Sequence, residues 1–338
     1  MIPVQNIYYL LSYAWNNLEE AESVFVDQDD FESLIDLYAT VFANGCHKLL
    51  RRGLHASYQE HTESIRAIKG KLNLSESLKN NSLALGIASC TFDEFTSDTL
   101  PNQIIKKTCA ILIKTREIKK DTRSSLRDIL TRLHHVSDIR LHRSSFSRIR
   151  LNRNDAHYHF VLKVCRLIMD NIRLHQSSGT YEFMDFIRNE KKMARIFESF
   201  LLQFYRHKSS FKKVKSEKLH WNAQVLEGTF QLPQMLTDIS LISNDRKIII
   251  DAKYYKEALQ KYYDKQKIKS SHLYQLYAYL KNDVAHEGRK SEGILLYPSV
   301  HTELSERFLI DGHAVTIATI NLDQDWRIVE SDLLDLIK

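Results

Sequence analysis

Two aspartates and one lysine, close together in a β-forming stretch, are the residues of this chain whose types and spacing best suit catalysis. Asp238 lies in the strand-like run 237–242, and Asp251 and Lys253 lie in a second run, 247–254. A polar turn separates the runs, so the stretch predicts strand, turn, strand. Because strand side chains alternate, Asp251 and Lys253 must share one face, and antiparallel pairing brings Asp238 close to Asp251.

This residue set could bind a hard divalent cation, with the lysine beside a metal-bound water. The alternative is a solvated face on an edge strand, since Asp and Lys are common surface residues. The apolar triplet 248–250 runs directly into Asp251, which favours a central strand with its charges at the strand end. The pattern therefore favours a metal-dependent hydrolytic site over a solvated edge.

Hydrophobic periodicity predicts the elements that would position these residues. The predicted helices cover 2–18, 30–51, 98–119, 121–133, 158–172, 183–207, 271–281 and 325–338. The predicted strands outside the hairpin cover 57–65, 67–74, 83–92, 225–232, 293–297 and 314–321. Helices and strands thus alternate without a simple repeat, which predicts a mixed α/β (α+β) fold. A boundary near 154–156 predicts two domains, 1–155 and 156–338.

Composition limits the functional classes. The formal net charge of +6 is compatible with a nucleic-acid partner without demonstrating one, and the four cysteines occur singly, without a zinc-finger or disulfide pattern. The chain contains no phosphate-binding glycine motif, so we expect no nucleotide to bind it directly. It also contains no basic leader and no apolar run of membrane-spanning length, so we expect a cytoplasmic protein with no membrane partner.

Together with these features, several longer stretches resemble one known family. The residues DAKYYK, HLYQLYAYL and GILLYP around the aspartates resemble McrC, the nuclease subunit of McrBC-type methylation-dependent restriction systems within the PD-(D/E)xK superfamily. The opening IPVQNIYYLLSYAW and the segments RRGL, IKGKLN and FIRNEKKM are also similar to McrC. The resemblance therefore extends over essentially the whole chain.

The resemblance implies a PD-(D/E)xK endonuclease domain in 156–338, with a central mixed sheet flanked by helices. It implies Mg²⁺-dependent phosphodiester cleavage, with Asp238, Asp251 and Lys253 catalytic and the backbone carbonyl of Ala252 as a further metal ligand. Glu198, beside the apolar stripe of its helix, matches an acidic position that can reach the metal, although a solvent-facing role explains it equally well.

Gln275 and Tyr279 are four residues apart and share one face of the predicted helix 271–281. They resemble a Gln-x-x-x-Tyr motif that borders the active site in the RecB-like branch of these nucleases. For Tyr279, a packing role explains the position as well as a site role does.

The resemblance further implies a McrB-like AAA+ GTPase hexamer as partner. GTP would bind to that partner, domain 1–155 would contact it, and this chain would stimulate its GTPase. Double-stranded DNA would be the substrate. Basic residues that could contact DNA or the partner are Lys69 and Lys71, beside Gly70, and Arg143, Arg148, Arg150 and Arg153 in the basic tract 140–153.

Two alternative functions remain open at this point. A stand-alone PD-(D/E)xK repair nuclease would cut DNA without an AAA+ partner. A regulatory subunit of an AAA+ ring would stimulate its partner without cutting. The presence of Asp238, Asp251 and Lys253 disfavours the second, and the roughly 150 residues before the nuclease domain, too long for a linker, disfavour the first.

Overall fold

A computed structural model describes residues 2–15, 31, 33–152, 155–175, 180–184, 189–229, 231–254, 260–262, 265–283, 290–299 and 303–338. These residues form two compact units. The first, here called the sheet unit, contains the described residues 2–15, 31 and those from 189 to 338, and the second, the helical unit, contains the described residues from 33 to 184. The division therefore does not coincide with the expected boundary after residue 155. The physical reason is that the helix beginning at Ala156 packs within the core of the helical unit.

Four long helices form the core of the helical unit. They are α2 (Leu34–Arg52), α4 (Leu100–Ile113), α5 (Lys120–Arg132) and α7 (Ala156–Asn171). Helix α2 begins at Ser33, whose hydroxyl accepts a hydrogen bond from the Asp36 amide, and it ends before Gly53, where φ is +97°. The buried faces of these helices pack against one another, which explains the helical periodicity of the sequence.

Short strands and helices complete the helical unit. Strand β1 (Ser57–Ile65) pairs antiparallel with β3 (Ala88–Thr96), which also pairs with β2 (Lys71–Leu72). Between them lie α3 (Leu74–Lys79) and a 3-10 helix (Ser82–Leu85), and later come α6 (Arg143–Ser147) and the hairpin of β4 (Ile172–His175) and β5 (Thr180–Phe183). The expected strand 57–65 is confirmed, whereas 67–74 shortens to two residues and 83–92 becomes a strand only at Ala88.

A six-stranded mixed sheet organises the sheet unit. Its strands are β6 (Lys213–Lys215), β9 (Ile239–Ile242), β10 (Arg246–Ala252), β13 (Lys290–Ser299), β14 (Ser305–Ile310) and β15 (His313–Asn321). They follow one another across the sheet in the order β14–β15–β13–β10–β9–β6. Strands β10, β13 and β15 are parallel, and the remaining pairs are antiparallel. The central position of β10 fits the burial of its isoleucines, which are 0% exposed.

Helices cover both faces of this sheet. Helix α9 (Ser270–Asn282) packs on the face that carries Ile249, Leu295 and Val315. Helices α1 (Val4–Ala14), α8 (Glu190–Lys208) and α10 (Trp326–Asp335) meet through an aromatic cluster that includes Tyr13, Phe200 and Trp326. None of the described helices is long and apolar enough to cross a membrane.

Four expectations for the sheet unit need correction. Helix α8 begins at Glu190 rather than at 183, because Phe183 belongs to β5. The run 225–232 forms no strand where it is described, and Val225 and Leu226 are exposed. The exposed strand β14 was not expected, because its pattern lacks the alternation of a half-buried strand. The two-residue strands β7 (Lys218–Leu219) and β8 (Met235–Leu236) and the hairpin of β11 (Gln260–Tyr262) and β12 (Lys265–Lys267) were also missed.

Candidate active site

The antiparallel pairing of β9 and β10 brings the two aspartates together. Ile239 pairs with Ile250, so the next position in this register places Asp238 opposite Asp251. One Asp238 oxygen, Oδ2, accepts a hydrogen bond of 2.9 Å from the backbone amide of Ala252. The expected hairpin is therefore confirmed, and Asp238 is fixed to the end of β10 by the backbone of the same strand that carries Asp251.

Asp251 is completely buried, with 0% of its surface exposed. Its Oδ2 lies 2.8 Å from Lys253 Nζ, a contact that is an ion pair rather than a well-directed hydrogen bond. Its Oδ1 is also buried and accepts no hydrogen bond from the described part of the chain. A buried carboxylate oxygen without a donor is costly, so this atom is suited to a cation that would complete its coordination.

Helix α9 holds the ammonium group of Lys253. Lys253 Nζ donates to Gln275 Oε1 at 3.0 Å, and Gln275 Nε2 donates to the Tyr279 hydroxyl at 2.7 Å. The Tyr279 hydroxyl in turn donates to the backbone carbonyl of Leu236 at 2.8 Å. This chain of hydrogen bonds connects the lysine to the segment that leads into Asp238. Gln275 and Tyr279 therefore lie beside the candidate site, one helical turn apart on the face expected from their spacing.

Glu198 reaches the same site from helix α8. Its side chain is partly exposed to solvent, and it interacts electrostatically with both Asp238 and Lys253. The pKa of Glu198 is raised above its usual value, first by partial burial and then by the nearby negative charge of Asp238. Three carboxylates thus share one electrostatic environment, although the positions of Asp238 and Asp251 alone are fixed by the hairpin.

Burial dominates the titration of the site. It raises the pKa of Asp251 from 3.8 to about 6, against the attraction of Lys253 and with an added contribution from Asp238. Burial also raises the pKa of Asp238, opposed by Lys253 and by the Ala252 amide. For Lys253, burial would lower the pKa, but the contact with Asp251 and the charge of Asp238 together outweigh it and raise the pKa above its usual value. At neutral pH the lysine is therefore cationic.

The sequence interpretation missed one buried imidazole next to this network. His272 lies one turn before Gln275, and its Nδ1 is 2.9 Å from the hydroxyl of Tyr297. Burial, then the charges of Lys253 and Lys269, lower the pKa of His272 to about 4, so the ring is neutral at physiological pH. The sequence did contain a signal for this position. His272 and Gln275 are three residues apart, and residues with that spacing share one face of a helix.

The side chains at the site could supply only some of the ligands of a small hard cation. Among the described residues, no group of three or more His, Cys, Asp or Glu side chains lies close enough to enclose a metal ion. Two facing carboxylates and one buried oxygen without a donor are nonetheless suited to Mg²⁺, which usually keeps several waters and takes one or two carboxylates from the protein. The site therefore suits a partly hydrated ion better than a protein-enclosed one.

The basic candidates of the helical unit differ in their surroundings. Lys69 lies over the Phe92 ring, 3.8 Å from its centroid, and Lys71 is exposed on β2. Arg143 forms an ion pair with Asp170 at 3.0 Å. Arg148 and Arg150 are exposed, and Arg153 lies outside the described residues.

Comparison with known proteins gives consistent matches. A family model described as McrBC 5-methylcytosine restriction system component matches residues 5–298. The chain is 36% identical over 338 residues to the type IV methyl-directed restriction enzyme EcoKMcrBC of Escherichia coli (strain K12), covering 99% of this chain and 97% of that protein. Its fold is similar to a chain in a half-complex of Thermococcus gammatolerans McrB AAA+ hexamers with bound McrC. The TM-score is 0.63 at 16% identity, over 99% of this chain and 75% of that chain.

Proposed function

The chain belongs to the family of McrBC 5-methylcytosine restriction system components, and on that premise we propose that it is the nuclease subunit of such a system. The reaction is Mg²⁺-dependent cleavage of DNA phosphodiester bonds by a PD-(D/E)xK site. The observation that carries the proposal is the environment of the buried Asp251, which lies opposite Asp238. Oδ1 of Asp251 has no hydrogen-bond donor among the described residues, and Oδ2 of Asp251 forms an ion pair with Lys253.

Asp238 and Asp251 are the residues that would hold the ion, with the backbone carbonyl of Ala252 as a further ligand. Bound there, Mg²⁺ would acidify a water and neutralise charge on the phosphate. The Ala252 amide keeps Asp238 in position through its 2.9 Å hydrogen bond. Glu198 adds a third carboxylate at the exposed side of the site, where we assign it an accessory role in holding the ion through water.

We assign two roles to Lys253. It positions the attacking water, and it stabilises the negative charge that develops on the phosphate. Its ion pair with Asp251 keeps it protonated, which suits electrostatic stabilisation of that charge. The hydrogen bond to Gln275 restricts the direction in which the ammonium points. Gln275 and Tyr279 are accordingly positioning residues, because they act on the reaction through Lys253.

Activity would depend on a partner. The E. coli relative is a methyl-directed restriction enzyme, and the related archaeal structure contains McrB AAA+ hexamers with bound McrC. The partner that we assign to this chain is a McrB-like AAA+ GTPase hexamer, which binds the GTP. The helical unit is the part of this chain that contacts the hexamer and stimulates its GTPase. The substrate is double-stranded DNA, and target reading belongs to the partner.

The decisive experiment compares DNA cleavage by the full chain alone with cleavage in the presence of the McrB-like partner, GTP and Mg²⁺. We expect cleavage only in the complete mixture. Asp251→Asn should lower the cleavage rate by at least about a hundredfold, because several kcal/mol of charge stabilisation depend on that carboxylate. Asp245→Asn, which changes an exposed carboxylate in the hairpin turn, should cut at the wild-type rate.

Cleavage by the chain without its partner would favour the stand-alone repair nuclease instead. Stimulation of the partner's GTPase without any cleavage by the wild type would favour a regulatory subunit. Normal cleavage by Asp251→Asn would show that the active site lies elsewhere in the chain.

A further inference from the structure

Helix α8 carries two cations in line with Glu198. Arg195 and Lys191 precede Glu198 by three and seven residues, spacings that place all three on one face of the helix. Both side chains are exposed, and neither forms a salt bridge with the part of the chain that the structure describes. Arg195 lies one turn before Glu198 on this helix, which places it beside the candidate active site.

The carboxylates of the candidate site give it a negative charge that these two cations could offset. Asp238, Asp251 and Glu198 repel a phosphodiester wherever they are ionised, and a divalent ion compensates only part of that charge. Among the described residues, Lys253 is the cation that lies inside the site, and it is already engaged by Asp251 and Gln275. Additional cations beside the site are therefore needed if the substrate is to be held there.

The basic tract 140–153 is less suited to this task. It belongs to the helical unit, whereas Asp238 and Asp251 belong to the sheet unit. Arg143, its first helical residue, is engaged in an ion pair with Asp170. The cations of α8, in contrast, lie in the same unit as the carboxylates and on the same helix face as Glu198.

We propose that Lys191 and Arg195 bind backbone phosphates of the DNA strand that enters the active site, so that the first half of α8 forms one wall of the DNA-binding cleft. This inference rests on the proposed nuclease function. The two side chains leave the helix about 6 Å apart, one turn along its axis, which suits contacts to neighbouring phosphates of one strand. Such contacts would bind DNA independently of its sequence.

The test is the double variant Lys191→Gln/Arg195→Gln, assayed in the complete mixture with partner, GTP and Mg²⁺. Because binding to phosphates depends on salt, the slope of log(kcat/KM) against log[salt] should become less steep by about 1 to 2. We expect KM for DNA to rise by about tenfold, with kcat within about twofold of wild type. Lys191→Arg/Arg195→Lys keeps both charges and should retain the wild-type slope.

The matched control is Lys212→Gln/Lys213→Gln, which also removes two exposed positive charges from the sheet unit. Lys213 pairs with Ile242 of β9, which on its other side pairs with Lys247 near the beginning of β10, about 13 Å along that strand from Asp251. An unchanged salt slope in the α8 variant, or an equal change in this control, would overturn the inference. A wild-type mixture that cuts no DNA would instead remove the proposed function, and the inference with it.

Discussion

The burial of Asp251 has opposite consequences for stability and for function. With no exposed surface and no hydrogen-bond donor to Oδ1 from the described residues, the ionised carboxylate destabilises the fold. The same arrangement leaves an oxygen ready to bind a cation without first breaking a hydrogen bond. Lys253 offsets only part of the cost, since the pKa of Asp251 is raised to about 6 despite the ion pair. Asp251 therefore lowers the stability of the fold at the position where we expect catalysis.

This conflict predicts how stability changes with pH in buffer without divalent cations. The pKa of the Asp251 carboxyl group rises from its ordinary value of 3.8, which applies to the unfolded chain, to about 6 in the folded chain. At pH values between these two pKa values, the folded state therefore binds more protons than the unfolded state. The free energy of unfolding should therefore fall as pH rises from 4 to 6, by up to about 3 kcal/mol. Chemical denaturation at a series of pH values measures this change.

Asp251→Asn removes the titrating group and serves as the comparison. It should unfold with nearly the same free energy as the wild type near pH 4 and be the more stable protein at pH 8. Added Mg²⁺ should stabilise the wild type at pH 8 and leave the variant unchanged, because only the wild type retains the ligand. Parallel pH profiles for the two proteins would contradict the destabilising role of Asp251.

At the scale of elements, the hairpin was predictable because its signals are local. Alternation placed Asp251 and Lys253 on one face, and the polar turn set the register that brings Asp238 to Asp251. The pair Gln275 and Tyr279 was predictable for the same reason, since a spacing of four residues fixes one helix face. What these pairs contact was not predictable, because the packing of α9 on the sheet depends on residues distant in the chain.

The missed elements lacked a pattern that sequence could reveal. Strand β14 lies at the sheet edge with five exposed residues followed by one half-buried residue, so it shows no alternation. The run 225–232 has a strand-like composition, yet its described residues are exposed and unpaired in any sheet. In sequence, a break between helices, as at 154–156, resembles a break between domains. Only the packing of α7 on α2 and α4 distinguishes them.

Helix α9 packs closely over Gly293 of β13. A Cβ atom at Gly293 would lie 2.9 Å from Leu276 Cδ2 and 3.0 Å from Leu280 Cδ1, closer than packed side chains permit. Gly293→Ala should therefore displace α9, lower the free energy of unfolding by about 1–3 kcal/mol and slow cleavage, because Gln275 moves with the helix. Thermal unfolding and cleavage assays measure both effects.

The matched comparison is Ala278→Gly, which weakens the same helix by about 1 kcal/mol through its backbone without crowding Leu276. It should unfold more easily but cut at nearly the wild-type rate below its melting temperature. A Gly293→Ala protein that loses stability yet cuts normally would show that the position of α9 does not control Lys253.

At the scale of the whole molecule, the proposed function divides between the two units. The candidate active site lies entirely in the sheet unit, and the turn with Lys69 and Lys71 lies in the helical unit. That turn is held closely, since Gly70 has a φ of +67° and a Cβ there would lie 2.7 Å from Phe92 Cβ. Two exposed lysines on a fixed turn are suited to contact an acidic surface of a partner.

This division predicts that stimulation and cleavage can be separated by substitution. Asp251→Asn should stimulate the partner's GTPase as the wild type does while cutting DNA at least about a hundredfold more slowly, because it leaves the helical unit intact. Lys69→Glu/Lys71→Glu should lower both the stimulation and the cleavage that depends on it, since reversing two charges opposes association. GTP hydrolysis and DNA cleavage, measured in the same mixtures, distinguish the two patterns.

The control for the lysine variant is Lys120→Glu/Arg127→Glu, which reverses two exposed charges on α5 of the same unit. If it lowers stimulation as strongly, the effect comes from the net charge of the unit and not from the turn. If Lys69→Glu/Lys71→Glu stimulates normally, the partner contacts another surface. If Asp251→Asn loses stimulation as well, the two units do not act separately, and the active site takes part in communication with the GTPase.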